Sequence, residues 1–220
     1  MKTVRFSLLA LALSAPTFAA ELPQSAELHY SGNWGVPAVM TFNRSGNNYK
    51  ITSNIKVPLY SIRFESGGNI AGNRLIPSYY KDVRKGKTYA EARFGGGKVT
   101  YGKTGEQNTE AMTGPTMDLF TLAWQLAAND AKLPAGLRIT NGKKIYKVSG
   151  LNRTGGGQYK IGSGSTPINK YSLKRGDKII NYAFAPDFYN IPAQISYTDD
   201  GKTYNLKLTS VKINGREMKP

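Results

Sequence analysis

Past Glu21, short runs rich in Tyr, Val, Ile and Thr are broken by Gly, Asn, Asp or Pro every eight to twelve residues or so. Runs that short cannot build long helices, and regular punctuation by turn formers is the mark of an antiparallel sheet. The expected fold class is all-β, mainly an antiparallel curved sheet forming a half-barrel or spiral barrel, with one amphipathic α-helix packed against it. Strands are expected at 27–33, 38–43, 49–57, 61–68, 78–84, 88–94 and 98–101, and, beyond the helix, at 137–140, 143–150, 158–161, 169–174, 179–185, 193–198 and 203–213. Asp200-Gly201, between Ile195-Ser196-Tyr197 and Tyr204-Asn205-Leu206, reads as a two-residue hairpin, since both central positions need positive φ. Ser45-Gly46-Asn47-Asn48, Arg84-Lys85-Gly86-Lys87 and Arg175-Gly176-Asp177 carry the same signal. In the last strand Tyr204, Leu206 and Leu208 share one parity and Val211 and Ile213 the other, which calls for a bulge near Thr209-Ser210 or a sheet that turns between two core faces.

One segment breaks the pattern. From Thr116 to Asp130, Met117, Phe120, Trp124 and Ala127 or Ala128 recur at helical spacing, with Thr116 as the expected N-cap after Pro115 and Asp118 in the first turn. The helix is expected to plug one mouth of the curved sheet with Phe120 and Trp124, because its polar face has no cations for a membrane. Residues 102–114 read as a polar, mobile connection, and 154–157 as a second loose region.

The start of the chain sets the compartment. Lys2 and Arg5 precede an apolar run from Phe6 to Ala15 and then Pro16-Thr17-Phe18-Ala19-Ala20. This reads as a secretory signal peptide over residues 1–19, too short to span a bilayer, with residues 20–220 forming a single β-rich domain. The expected location is the periplasm. The chain has no cysteine, so the mature end carries no lipid-modified cysteine and the fold no disulfide. With Lys2 and Arg5 removed from 30 Lys and Arg, the 14 Asp and Glu leave a net charge of about +14, which favours anionic partners.

Routes to catalysis are few. His29 is the single histidine, no Gly-x-Ser-x-Gly elbow supplies a nucleophile, and zinc would find one imidazole and no thiolate. Asp199 and Asp200 are adjacent and diverge, so a facing carboxylate pair is not evident. The glycine runs at 95–97 and 155–157 precede neither Lys-Ser/Thr nor a helix and read as loop glycines. No catalytic residue, metal or cofactor is expected. The 14 tyrosines interleaved with lysines would suit nucleic acid, but the same interleaving arises when sheet tyrosines face a core and lysines face water, so no nucleic-acid partner is expected.

Binding remains. A curved sheet can enclose a cavity for an amphipathic ligand, and Trp34, Tyr60, Phe64 and Trp124 are the residues expected at its mouth. Removing Trp124 is then expected to weaken ligand binding and leave the fold intact. The expected partner is a lipid, glycolipid, lipoprotein or anionic envelope polymer. The alternatives are a protein-interaction module using an open sheet edge to support an envelope assembly, and, less favoured, an enzyme acting on cell-wall polymers. No transmembrane segment is expected in the mature chain.

The order of motifs resembles the bacterial envelope family catalogued as domain of unknown function 3108. The pieces are Ala26-Glu27-Leu28-His29-Tyr30, Tyr49-Lys50-Ile51-Thr52, Phe64-Glu65-Ser66-Gly67-Gly68, Leu75-Ile76-Pro77-Ser78-Tyr79-Tyr80, Arg93-Phe94, Thr116-Met117-Asp118-Leu119-Phe120 and Gly142-Lys143-Lys144-Ile145-Tyr146. Asp187 through Ile195 and Leu206 through Val211 close the series. Gly95-Gly96 stands where the pattern has Asp, and the polar insert before the helix is long. The resemblance implies a β-rich exported domain, a curved or spiral half-barrel like those of periplasmic lipoprotein carriers, with no assigned activity or catalytic residues.

Overall fold

Sixteen strands and one α-helix are found among the described residues of the computed structural model, 22–57, 60–199 and 201–220; the expected signal peptide, residues 58–59 and Asp200 lie outside them. The first half is a meander of β1 (Ser25–Ser31), β2 (Pro37–Ser45), β3 (Asn48–Val57), β4 (Tyr60–Ala71), β5 (Arg74–Arg84), β6 (Lys87–Gly95), β7 (Lys98–Lys103) and β8 (Glu106–Ala111). A short strand β9 (Thr116–Asp118) leads into helix α1 (Leu119–Ala128). The second half runs β10 (Arg138–Thr140), β11 (Ile145–Ile161), β12 (Gly164–Arg175), β13 (Lys178–Ala185), β14 (Ile191–Asp199), β15 (Lys202–Ile213) and β16 (Arg216–Glu217). Antiparallel pairing of β1 with β15 joins the halves into one sheet with β8 and β9 at its ends, and β16 pairs β15 off that path. The sheet curves until those ends approach. On β10, which neighbours β9, Arg138 donates from Nη1 to the Ala111 carbonyl of β8 at 3.2 Å and pairs with the Glu110 carboxylate.

Turn chemistry explains the meander. Lys85 and Gly86 both have positive φ, 50° and 77°, the geometry that matches the twist of a two-residue hairpin, and glycine supplies it freely. Asp199 pairs Lys202 across the β14–β15 hairpin, where Gly201 has φ 73°. The parity conflict in β15 resolves at a bulge: His29 pairs Ser210 and Tyr30 pairs Leu208, so Thr209 is skipped and Leu206, Leu208, Val211 and Ile213 are all buried.

The helix is shorter and starts later than its spacing predicts. Thr116 to Asp118 is extended because it pairs in parallel with Arg138 to Thr140, and the N-cap is Asp118, whose Oδ1 accepts from the amides of Phe120 at 2.9 Å and Thr121 at 3.0 Å. Every residue from Thr121 to Ala128 is buried, as expected for a helix enclosed by the sheet rather than lying on it. Gln125 ties it down, its Oε1 accepting from Leu75 N at 2.7 Å and its Nε2 donating to the Asn73 carbonyl at 2.9 Å. Residues 106–111 are strand β8 rather than a loose connection, and 154–157 lie within β11 beside a bulge between Arg153 and Gly155.

Asp118 is fully buried, and burial raises its carboxyl above the ordinary range despite bonds from Thr121 Oγ1 and the two amides that favour the charge. The folded state therefore holds this proton more tightly than the unfolded chain. The stability so gained is complete below the ordinary Asp range and is lost as pH rises through the raised value. Asp118→Asn keeps a cap without the buried charge, so its stability relative to the native chain should rise between pH 3.5 and pH 7. Asp118→Ala should lose about 1 kcal/mol or more at pH 7 through the missing cap. Urea midpoints at the two pH values check both.

Candidate functional site

Pleat parity builds a cavity between the two halves of the sheet. Phe64 lies opposite Asp82 and Ile62 opposite Arg84 across β4 and β5, while Ile55 lies opposite Ile62 on β3. From the other half, Tyr197 of β14 pairs Tyr204 of β15. These side chains share the inward parity and, with Tyr60, Tyr80, Leu119, Phe120, Asn141 and Lys143, line a cavity of about 320 Å3. Ile180, Tyr182, Ile195 and Leu206 continue its apolar floor. The walls are aromatic: the Phe64 and Phe120 rings are 5.0 Å apart between centroids, and Tyr197 stacks on Tyr204 at 5.0 Å.

Besides Lys143, two charges stand inside. Arg84 Nη2 donates to Asp82 Oδ2 at 2.8 Å and Arg84 Nε to Oδ1 at 3.1 Å, and the guanidinium lies 3.8 Å from the Tyr89 ring centroid. Burial works against the Arg84 charge, but the Asp82 bond and charge outweigh it and raise the pKa further. Burial first, and then the Asp82 carboxylate, push the Tyr80 hydroxyl up. The site presents a fixed, protonated donor set within an aromatic wall.

Beside this cavity lies a second hollow of about 380 Å3 across the seam of the sheet, lined by Tyr89, Lys103 and Glu106 from β6 to β8, and by Lys143, Lys144, Tyr146 and Lys178 from the facing strands and turns. Lys143 lines both spaces. An apolar chamber thus adjoins a groove with four lysines and one glutamate.

The four residues expected at the mouth part company. Tyr60 and Phe64 line the cavity. Trp124 is a correction: it is fully buried, stacked on Phe42 at 4.5 Å in the main core and absent from the cavity wall. Trp34 is 96% exposed on a 3-10 turn between β1 and β2 and lines no part of the cavity. Sequence reasoning missed Asp82 and Arg84, although charged residues on the same parity as Tyr80 were the available signal. His29 lies at the surface, its Nε2 2.7 Å from Glu27 Oε1. Among the described residues no cluster of three or more His, Cys, Asp or Glu could hold a metal, and no helix is long and apolar enough to cross a membrane.

The chain is similar in fold to a β-barrel-like protein of domain of unknown function DUF1849 from Brucella abortus. The two share 10% sequence identity over 86% of this chain and 97% of that one, with a TM-score of 0.48. No protein-family model matches the chain, and neither does any curated protein. The comparisons do not show the chain to be a member of domain of unknown function 3108, and that resemblance rests on the sequence motifs. The mainly antiparallel, curved, barrel-like sheet with one α-helix among the described residues stands on the structure.

Proposed function

We propose that this chain is a non-enzymatic, exported protein of the cell envelope that binds an anionic amphiphile, placing the apolar part among Phe64, Phe120 and Tyr197 and the head among the lysines. The observation that carries the reading is Lys143, which belongs to the wall of the aromatic cavity and to that of the lysine groove. Ligand sites are concave and mostly apolar, with a few placed polar groups, and about 320 Å3 lies at the small end of their roughly 300–1,000 Å3 range. One acyl chain or ring-sized group suits that space. Asp82 and Arg84 are bonded to each other, so they serve as a polar anchor in this reading and no catalytic step is assigned to them. The leader-like start, the basic balance and the resemblance to domain of unknown function 3108 support a periplasmic location.

Isothermal titration with dodecyl phosphate, below its micelle concentration, tests the reading against zwitterionic dodecylphosphocholine. One dodecyl phosphate per chain should bind, at least tenfold tighter than the phosphocholine, and Lys103→Gln with Lys144→Gln should remove most of that preference. Absence of binding by either probe, or equal binding of both, would overturn it.

One observation favours a protein-interaction module as the second reading. All six residues of the edge strand β8 are exposed and, among the described residues, its ladder runs to β7 alone, so that short of the Arg138 contacts at Glu110 and Ala111 a partner strand can extend it.

A further inference from the structure

Trp34 is 96% exposed and has left-handed backbone angles, φ 56° and ψ 26°, where a bulky side chain is rare and strained. The strain is held in place. Asn33 Nδ2 donates to the Thr203 carbonyl at 2.5 Å, and Asn33 Oδ1 accepts from Asn205 N at 3.0 Å and from Asn205 Nδ2 at 3.1 Å. Gly32 N closes the turn on the Val36 carbonyl at 2.7 Å. A large amphipathic ring is thus displayed on a fixed turn and takes no part in the core.

The position of that turn is informative. The meander puts the β1–β2 turn at the same end of the barrel as the β3–β4, β5–β6, β7–β8, β10–β11, β12–β13 and β14–β15 connections. Asn33 is bonded on either side of Tyr204, a cavity residue, and Tyr60 lines the cavity from the β3–β4 connection. This end therefore carries the mouth of the cavity. Its turns expose Lys56, Lys85, Lys87, Lys103 and Lys144 against Glu106 and Asp177, and the β14–β15 turn adds Asp199, Asp200 and Lys202 in sequence.

We propose that this end docks on an anionic lipid bilayer, with Trp34 seated at the headgroup level and the lysines of the neighbouring turns on the lipid phosphates. Tryptophan favours that depth because its ring is apolar and its N–H polar, and basic residues near an anionic surface add an attraction that salt screens. The contact is peripheral and places the cavity mouth on the bilayer. It goes beyond ligand capture in the cavity and stands without it.

The chain has two tryptophans, and Trp124 is fully buried, so a change in emission on adding vesicles reports Trp34. With vesicles of phosphatidylglycerol and phosphatidylcholine, emission should shift to the blue and be quenched by brominated acyl chains. Co-sedimentation should fall at least tenfold for Trp34→Ala and severalfold for Lys85→Gln with Lys87→Gln or in 0.5 M salt (about a 4 Å Debye length). An unshifted emission, or a folded Trp34→Ala chain that sediments like the native one, overturns the proposal. Because Trp34 lies outside the cavity, Trp34→Ala should leave dodecyl phosphate titration unchanged, which separates failure of docking from failure of ligand binding.

Discussion

Trp124→Ala is expected to cost about 3–5 kcal/mol of folding free energy, the range for removing a fully buried large aromatic side chain, and to lower the melting temperature by about 6–20 °C for a chain this long. Trp124 has no exposed surface and stacks on Phe42 at 4.5 Å, and its helix is buried on every side from Thr121 onward. Truncation leaves a cavity between α1 and β2 that backbone held in hydrogen-bonded strands cannot readily fill. The indole Nε1 has no hydrogen-bond partner among the described residues, so Trp124→Phe loses volume without stranding a buried partner and should cost less than half as much. Trp34→Ala, at the exposed tryptophan, should stay within about 0.5 kcal/mol. Urea melts of the three variants check the order. A Trp124→Ala chain as stable as the native one would contradict the packing and return Trp124 to the role its sequence suggests, at the ligand.

The two tryptophans show what the sequence carries and what it does not. Alternation reveals strands because one face of each is buried, and it placed the bulge in β15, where Leu208 and Val211 break parity. It missed β8 because Glu106 to Ala111 is exposed on both faces and offers no apolar stripe, and it divided β11 because Gly155 to Gly157 looks like a loop while forming ladder pairs around a bulge. Phe120 and Trp124 were legible as the helix's large apolar residues. Which of them meets the core and which the cavity depends on where α1 enters the barrel, and that is set by the pairing of Thr116 to Asp118 with Arg138 to Thr140, a contact between segments about twenty residues apart in sequence. The cavity wall was legible at Phe64 and Tyr60. It was hidden at Tyr197, Tyr204 and Lys143, because only closure of the two halves brings β14, β15 and the β10–β11 turn against β4 and β5.

That closure depends on a register set by one glycine, and Gly68→Ala should be among the most damaging single-methyl additions in the chain. The β4–β5 ladder shifts between Gly67, which pairs Tyr79, and Gly68, which pairs Pro77, leaving Ser78 as the extra residue. A Cβ on Gly68 would stand 2.0 Å from the Ile76 carbonyl oxygen, 2.7 Å from Pro77 Cα and 2.8 Å from Ser78 N. All three are backbone atoms, so no side chain can swing away, and relief requires opening the bulge. The expected cost is about 3–5 kcal/mol, at or above the upper end of overpacking effects because the strain falls on a hydrogen-bonded ladder. Gly46→Ala is the comparison: its φ of 56° imposes a backbone penalty of about 1–2 kcal/mol, but nothing lies within 4 Å of the added methyl. The consequence extends to the site, since beyond the bulge Ser66 pairs Tyr80 and Phe64 pairs Asp82, and a slipped register would turn Asp82 and Tyr80 away from the cavity. Gly68→Ala should therefore unfold at much lower urea than Gly46→Ala and, at temperatures where it remains folded, lose dodecyl phosphate binding that Gly46→Ala retains. Equal midpoints for the two variants would show that the bulge does not hold the ladder in this register.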